Sequence, residues 1–283
     1  MSQSISTGFS KLDALLPLTP GLHLIGARPN TGTTELLLQI AYNIAKADAP
    51  VMFIDLEHNA KELYATLLSQ RANLLPNTKK VTPVEIMNGS TMNAAVVNQV
   101  RQLVQEKKRL MILHPSKRIS YQQLIKLLEE YHTKCETPPV IIINPLNALI
   151  DADQKKTLTC ALHVISEWQM QHSHISVITR CHLNDIFQRH IQVSAFGFDY
   201  DITDNVHSIM GIQLRVLYTK EFYGTRDEDG DLHATSLRTQ LQVVQNATCA
   251  KIRHLRVEII KGQHSGETVD LDYDTTYLSV NEL

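Results

Sequence analysis

No run of apolar residues in this sequence approaches the length of a membrane span, so a bilayer-crossing helix is not expected. The opening "MSQSISTGFS" lacks the basic-then-apolar layout of a secretory signal. Only four cysteines occur (Cys135, Cys160, Cys181, Cys249), with no CxxC spacing. That excludes a disulfide frame or a zinc ribbon and points to free thiols in a cytoplasmic protein. Charge of one sign is also lacking: the formal net charge is −2, which gives no global electrostatic footprint for nucleic acid. The 13 histidines include His163, His172, His174, His182 and His190, but no carboxylate or cysteine joins them at a metal-ligand spacing. They are read as surface and loop residues.

What is present is apolar sequence in short, regularly spaced blocks, 43% of 283 residues, enough for the core of a large α/β domain. "LHLIG" (22–26), "VMFIDL" (51–56), "RLMILH" (109–114), "PVIIIN" (139–144) and "ISVITR" (175–180) read as strands. Segments of helical periodicity separate them: 34–47, about 60–72, "AAVVNQVRQLVQEK", "YQQLIKLLEEYH" with Ser120 as its N-cap, and "TLTCALHVISEWQMQ". Continuous β-branched strands between helices predict a mainly parallel sheet covered on both faces. After Arg180 the rhythm changes. "HSIMGIQLRVLY", "HLRVEIIKG" and "ETVDLDYDTTYLSV" read as strands and hairpins added to one side of the sheet. Residues 224–250, polar and charged at their start, are expected to form an exposed loop or insertion in a single domain spanning 1–283.

One turn carries a chemical signature. "LIGARPNTGTT" (24–34) runs from a strand through small residues into a helix, the layout of a phosphate-cradling loop, G-x-x-x-x-G-K-[ST]. Ala27 stands at the first glycine position, Gly32 and Thr34 fit, and Thr33 occupies the lysine position. The backbone N–H groups of Arg28, Asn30, Thr31, Gly32, Thr33 and Thr34 can still meet a phosphate at a helix N-terminus, with Pro29, which has no N–H, shaping the turn between them.

Taken together, the segments resemble the C-terminal, RecA-type motor domain of the DnaB family of hexameric replicative DNA helicases. "STGFSKLDALLPLTPGLHLIGARPNTGTT" is similar to that family's "TG(Y/F)xxLD…PG" opening and nucleotide loop. "VMFIDLEHNAKELYATLLSQRANL" resembles its "SLEM" strand end and following helix. "ISYQQLIKLLEEYH…PPVIIINPLNAL" resembles the helix and Walker B strand that ends in "IDYLQL". "VITRCHLN" parallels "ALSQLNR", and "VEIIKGQHSGETVDL" parallels "IIxKQRNGPxGTVxL".

The resemblance implies a RecA-like P-loop core with C-terminal antiparallel strands, and a site for ATP and magnesium in which Thr34 supplies the metal's hydroxyl. It also identifies departures. Thr33 replaces the lysine, whose charge near a phosphate is worth about 4 kcal/mol at ~4 Å and an effective dielectric of ~20. Asn144 replaces the magnesium-ordering aspartate, and His182 replaces the glutamine that senses the γ-phosphate. Gln263, two residues after Lys261, replaces a finger arginine of a kind worth about 10³- to 10⁵-fold in rate. Glu57 matches the water-activating glutamate and is retained. Arg28 and Arg180 are candidates for a substitute cation, Arg28 also reading as part of the "ARP" turn. The stretch matching the family's DNA-facing loops offers Arg189 and His190 for single-stranded DNA, beside Asp185, Asp199, Asp201 and Asp204. The resemblance begins at Ile5, so a motor domain without the family's N-terminal collar is expected.

Three readings follow. The first is a catalytically degenerate pseudo-ATPase that binds ATP and magnesium weakly. It acts through a protein partner, either a replicative helicase or another component of replication or a mobile element, or by self-association. The second is a divergent DNA-dependent ATPase or helicase. The third is a nucleotide-independent accessory protein for single-stranded DNA.

Overall fold

A computed structural model describes residues 4–28, 31–106, 108–150, 154–183, 206–218, 225–226, 232–233, 242 and 245–283. In chain order the elements are α1 (Ser10–Leu15), β1 (Gly21–Ala27), α2 (Thr33–Lys46), β2 (Val51–Asp55), α3 (Ala60–Leu74), α4 (Pro83–Met87) and α5 (Ala94–Arg101). Then come β3 (Leu110–Leu113), α6 (Tyr121–His132), β4 (Val140–Asn144), α7 (Gln154–Gln171), β5 (Ser176–His182) and β6 (Ser208–Leu214). The short strands β7 (Thr225–Arg226) and β8 (Leu232–His233) precede β9 (Ile252–Lys261), β10 (Thr268–Asp274) and β11 (Ser279–Glu282).

Nine strands form one sheet in the order β11-β10-β9-β6-β1-β5-β4-β2-β3. From β3 across to β6 every neighbouring pair is parallel, and β9, β10 and β11 continue the sheet antiparallel. The apolar strands bury both faces by alternation. Val51 and Phe53 join the core beneath α2, α3 and α5, whereas Met52 and Ile54 join the core beneath α6 and α7. Val140 and Ile142 divide from Ile141 and Ile143 in the same way. β2 and β6 lie on opposite sides of β1, so the chain reverses its direction of travel across the sheet there. The carboxyl ends of β1, β5, β4 and β2 therefore open on a crevice of the kind where parallel sheets hold ligands.

Boundaries differ from the sequence reading where local chemistry intervenes. The helix expected through residue 107 stops at Arg101 and continues as a π-helical turn, Gln102–Glu106, closed by the Arg109 amide on the Leu103 carbonyl. Ser120 caps α6 as expected: its hydroxyl accepts from the Gln123 amide and the Gln123 side chain accepts from the Ser120 amide. The 224–250 segment includes the small β7–β8 ladder and a helical turn at 245–249; most of the remainder lies outside the described residues. The four cysteines are free, Cys181 buried and Cys249 exposed. No described helix is long and apolar enough to cross a membrane.

The histidines are not all peripheral. His23 is 1% exposed within β1, bonded through Nδ1 to Ser208 Oγ (2.7 Å) and through Nε2 to the Thr19 carbonyl (2.7 Å). Burial pulls its pKa down from 6.5 to about 4, against the raising effect of the Thr19 carbonyl. A base whose folded value is depressed favours the unfolded chain on protonation, so stability is lost as pH falls from 6.5 to about 4. The expected loss is about 3 kcal/mol, read from denaturant titrations across that range. His23→Gln should flatten the pH dependence, and an unchanged slope would exclude His23 as its source.

Candidate functional site

The turn that the sequence reading takes for a phosphate-type loop joins β1 to α2. β1 ends at Ala27, in register with His182 of the neighbouring β5. The Arg28 amide donates to the Ile212 carbonyl of β6 (3.2 Å). Gly32 is the N-cap of α2 with φ +69°, and a Cβ there would meet the Tyr273 ring at 2.6–2.7 Å. Left-handed backbone and close ring packing both demand glycine at this position. Thr33 does not reach toward a ligand as a lysine would. It is 2% exposed, and its hydroxyl sits 2.8 Å from that of Thr31, which in turn donates to the Arg28 carbonyl (2.8 Å). Pro29 and Asn30 lie outside the described residues.

Thr34, at the start of α2, meets the strand ends. Asn144 closes β4 and Arg180 lies on β5, both buried. The Asn144 amide nitrogen donates to Thr34 Oγ1 (3.1 Å) and to Asp55 Oδ2 (2.7 Å), while its oxygen accepts from Arg180 Nη1 (3.2 Å). Arg180 Nη1 also lies 3.3 Å from Thr34 Oγ1 and 3.8 Å from Glu57 Oε2. Glu57 is engaged from a second side by His182 Nε2 (3.2 Å). The His182 backbone amide is anchored on Asn147 Oδ1 (2.7 Å). Of the two candidate cations, the geometry brings Arg180 to the position Thr34 and Asn144 share.

Asp55 is the participant that sequence reasoning passed over. It ends β2, pairs in register with Asn144 and is fully buried. Its Oδ1 accepts from the amides of Glu57 (2.9 Å) and His58 (2.6 Å) and lies 3.1 Å from His58 Nδ1. The resemblance carries a serine at position 55 and an aspartate at 144. In this chain the carboxylate ends β2 and the amide ends β4. The available signal was the strand-end pair itself, "FID" opposite "IIN".

The titrations follow from these contacts. Burial alone would raise the Asp55 carboxyl, but the His58 side chain and the His58 and Glu57 amides outweigh it and hold the group below the usual carboxylate range. Asp55 in turn raises His58. The His182 hydrogen bond lowers Glu57 against the opposing effect of burial, and Arg180 adds to the lowering. Burial draws Arg180 below its ordinary value, opposed by Glu57, Glu35 and Asp55; a guanidinium remains charged regardless.

This donor set does not fit a magnesium ion. Magnesium demands near-octahedral oxygen ligands at about 2.0–2.1 Å. The Thr34 hydroxyl that would serve it is approached by two nitrogen donors, one belonging to a cation. The Asp55 oxygens are likewise turned to donors. Among the described residues no three His, Cys, Asp or Glu side chains are grouped to hold a metal. His172 instead stacks on Trp168 (4.4 Å between centroids), with His132 edge-on to it at 4.6 Å, and His163 lies 3.3 Å from Glu167. Gln263 follows β9, whose Lys261 pairs with Ile209 near the start of β6; the turn therefore lies at the end of the sheet opposite Thr34. Arg189 and His190 lie outside the described residues.

Asp55 and His58 contribute in opposite directions with pH. The depressed Asp55 stabilises above the usual carboxylate range, and that contribution is lost as pH falls through its lowered value. The raised His58 stabilises below 6.5 and loses its contribution as pH rises through its elevated value. Asp55→Asn should cost about 3 kcal/mol in denaturant unfolding, since it sets two amide nitrogens against each other in a buried site. The Asp55→Asn/Asn144→Asp exchange should recover part of that loss in a double-mutant cycle. Strict additivity would show that the two strand ends are not coupled.

Comparison with known proteins places these observations. Residues 4–184 match the family model described as DnaB-like helicase C terminal domain. The fold is similar to that of a DnaB-like replicative helicase whose structure is described together with its interactions with primase. The TM-score is 0.70 at 16% identity, over 100% of this chain and 64% of that one. It is also similar to a second solved structure, described as an ATPase domain (TM-score 0.67, 17% identity, 99% of this chain and 92% of that one). A KaiC-like protein from the hyperthermophilic archaeon Pyrococcus horikoshii matches over 100% of both chains (TM-score 0.61, 10% identity). At these identities the likeness is one of fold. No curated protein matches the chain in sequence.

Proposed function

The chain belongs to the DnaB-like helicase C terminal domain family, and from that premise we propose that it is a helicase-related replication protein acting as a pseudo-ATPase through protein contacts. The observation that carries this reading is the Arg180 guanidinium, 3.3 Å from Thr34 Oγ1 and 3.2 Å from Asn144 Oδ1. A fixed side-chain cation stands where the resemblance expects a divalent metal. Thr33 supports the same reading, because its hydroxyl is turned to Thr31 and carries no charge toward a phosphate. Glu57, the retained catalytic match, is held by His182 and Arg180 and would have to leave both before it could orient a water.

Loss of turnover moves the function to surfaces. The DnaB-like replicative helicase named above is described with a protein partner, primase. By analogy, this chain's partner is a replicative helicase, another replication component, or a further copy of itself. A divergent DNA-dependent ATPase is the alternative, favoured by the one retained carboxylate at Glu57.

Purified protein given ATP, magnesium and single-stranded DNA is expected to release no phosphate above the protein-free blank. Turnover near the ~10 s⁻¹ typical of enzymes would overturn the proposal. Sedimentation of the chain alone and mixed with a replicative helicase should show a mixed complex or self-association. A monomer that joins neither removes the protein-contact half of the reading.

A further inference from the structure

An open sheet has two edges, and each leaves a row of backbone N–H and C=O groups to be covered or left open to pairing. One edge of this sheet is closed. At β11 the Gln39 side chain donates to the Val280 carbonyl (3.0 Å) and accepts from the Val280 amide (3.2 Å). β3, at the other end, has no strand beyond it among the described residues. The Val51 amide of β2 donates to the Arg109 carbonyl (2.7 Å). Alternate residues of a parallel ladder bond to the same side, so Met111 turns its backbone to β2 and Ile112 turns its N–H and C=O to the open edge. Nothing in the strand itself blunts that edge. Leu110–Leu113 holds neither charge nor proline, and although Leu110 is covered, Met111 is 39% exposed.

A groove flanks the strand on each face. Ile112 lines one of about 540 Å³ with Tyr64, Ile86 and Val104, beside the exposed Lys61. Leu113 lines the other, of about 500 Å³, with Ile119 and Leu127, beside the exposed Lys117, Lys126 and Glu130. A segment laid along β3 sends successive side chains alternately toward the two grooves. The surroundings are basic. Residues 107–118 contain five Lys or Arg and no Asp or Glu, and of these Arg109 is engaged by Asp48 (3.3 Å).

We propose that β3 is a docking edge for an extended segment of a partner protein, apolar at its centre and acidic at its flanks, which joins the sheet beside Ile112. Charge selects this occupant over a second copy of the chain, because pairing two β3 strands in either direction brings two basic flanks together. Single-stranded DNA would answer the charge but has no amide ladder to match the edge and no apolar side chains for the grooves. The inference takes up the protein-contact half of the preceding reading and goes beyond it by giving that contact a surface and a chemistry. It stands whether or not ATP is turned over.

Fluorescence anisotropy of the intact chain with a labelled peptide, Glu-Asp-Leu-Val-Ile-Val-Asp-Glu, tests it. The peptide should bind saturably. Proline in place of its isoleucine, or lysine in place of its four acids, should each weaken binding by about fivefold or more. On the protein, Ile112→Pro removes an N–H that faces away from β2 and should weaken binding by about fivefold. Lys117→Glu/Lys126→Glu should do the same through charge, and it decides the matter should Ile112→Pro fail to fold. Amide exchange at Ile112 should slow in the complex while that at Met111 stays as it was. No binding, indifference to the peptide's proline, or tighter binding of a thymidine oligonucleotide of equal length overturns the proposal. So does a dimer of the chain that Ile112→Pro dissolves. The assay contains neither ATP nor a helicase, so its failure leaves the preceding reading standing, and ATP turnover overturns that reading alone.

Discussion

A buried guanidinium organises the candidate site. Arg180 lies at the end of β5 with almost no solvent access, and removing such a charge from water carries a penalty of several kcal/mol unless partners replace the water. Asn144 offers an amide oxygen, Thr34 a hydroxyl and Glu57 a carboxylate, each from a different element. Asp55 lies one step further, holding the other end of the Asn144 amide. The charge of one side chain thereby ties β5 to β4, β2 and the first turn of α2. Those are the four elements whose ends frame the crevice, and their spacing there is set by hydrogen bonds among side chains.

The rest of the fold maintains that frame independently of any ligand. The C-terminal strands pack against the helix that begins at the turn. Gln39 of α2 exchanges two hydrogen bonds with the backbone of Val280, and Gln70 of α3 joins the carbonyls of Glu35 and Leu278. Tyr273 lies on Gly32, with the Arg253 guanidinium 5.7 Å from its ring centroid. Glu282 caps α1 from the other end of the chain. A turn clamped this way is held in shape by its protein neighbours.

The sequence disclosed elements far better than it disclosed the wiring between them. Continuous strands such as "VIIIN" are legible because burial on both faces leaves no room for polar residues. Ser120 is legible as a cap because the capping interaction closes within three residues. Glycine at 32 was legible because the turn into α2 takes left-handed backbone there. Asp55 was not, because its meaning depends on Asn144, 89 residues away along the chain and adjacent only through the β2–β4 register. Arg180 could be named as a candidate but not chosen over Arg28, since one lies near the end of β5 and the other follows β1, and both strands end at the same crevice. His23 was misplaced for a related reason. A histidine reads as polar until the Ser208 hydroxyl and the Thr19 carbonyl that satisfy it are seen on either side.

The side chains at this site depend on one another. A carboxylate closes β2, the Asn144 amide bridges it to Thr34, and a cation on β5 lies at hydrogen-bonding distance from both Thr34 and Asn144. Asp55 without Asn144 and the His58 side chain would keep only two backbone amides, and Arg180 without Glu57 and Asn144 only Thr34 and His182, against the cost of burying their charges. Each is stabilised by the others, and together they form a cluster organised by side chains.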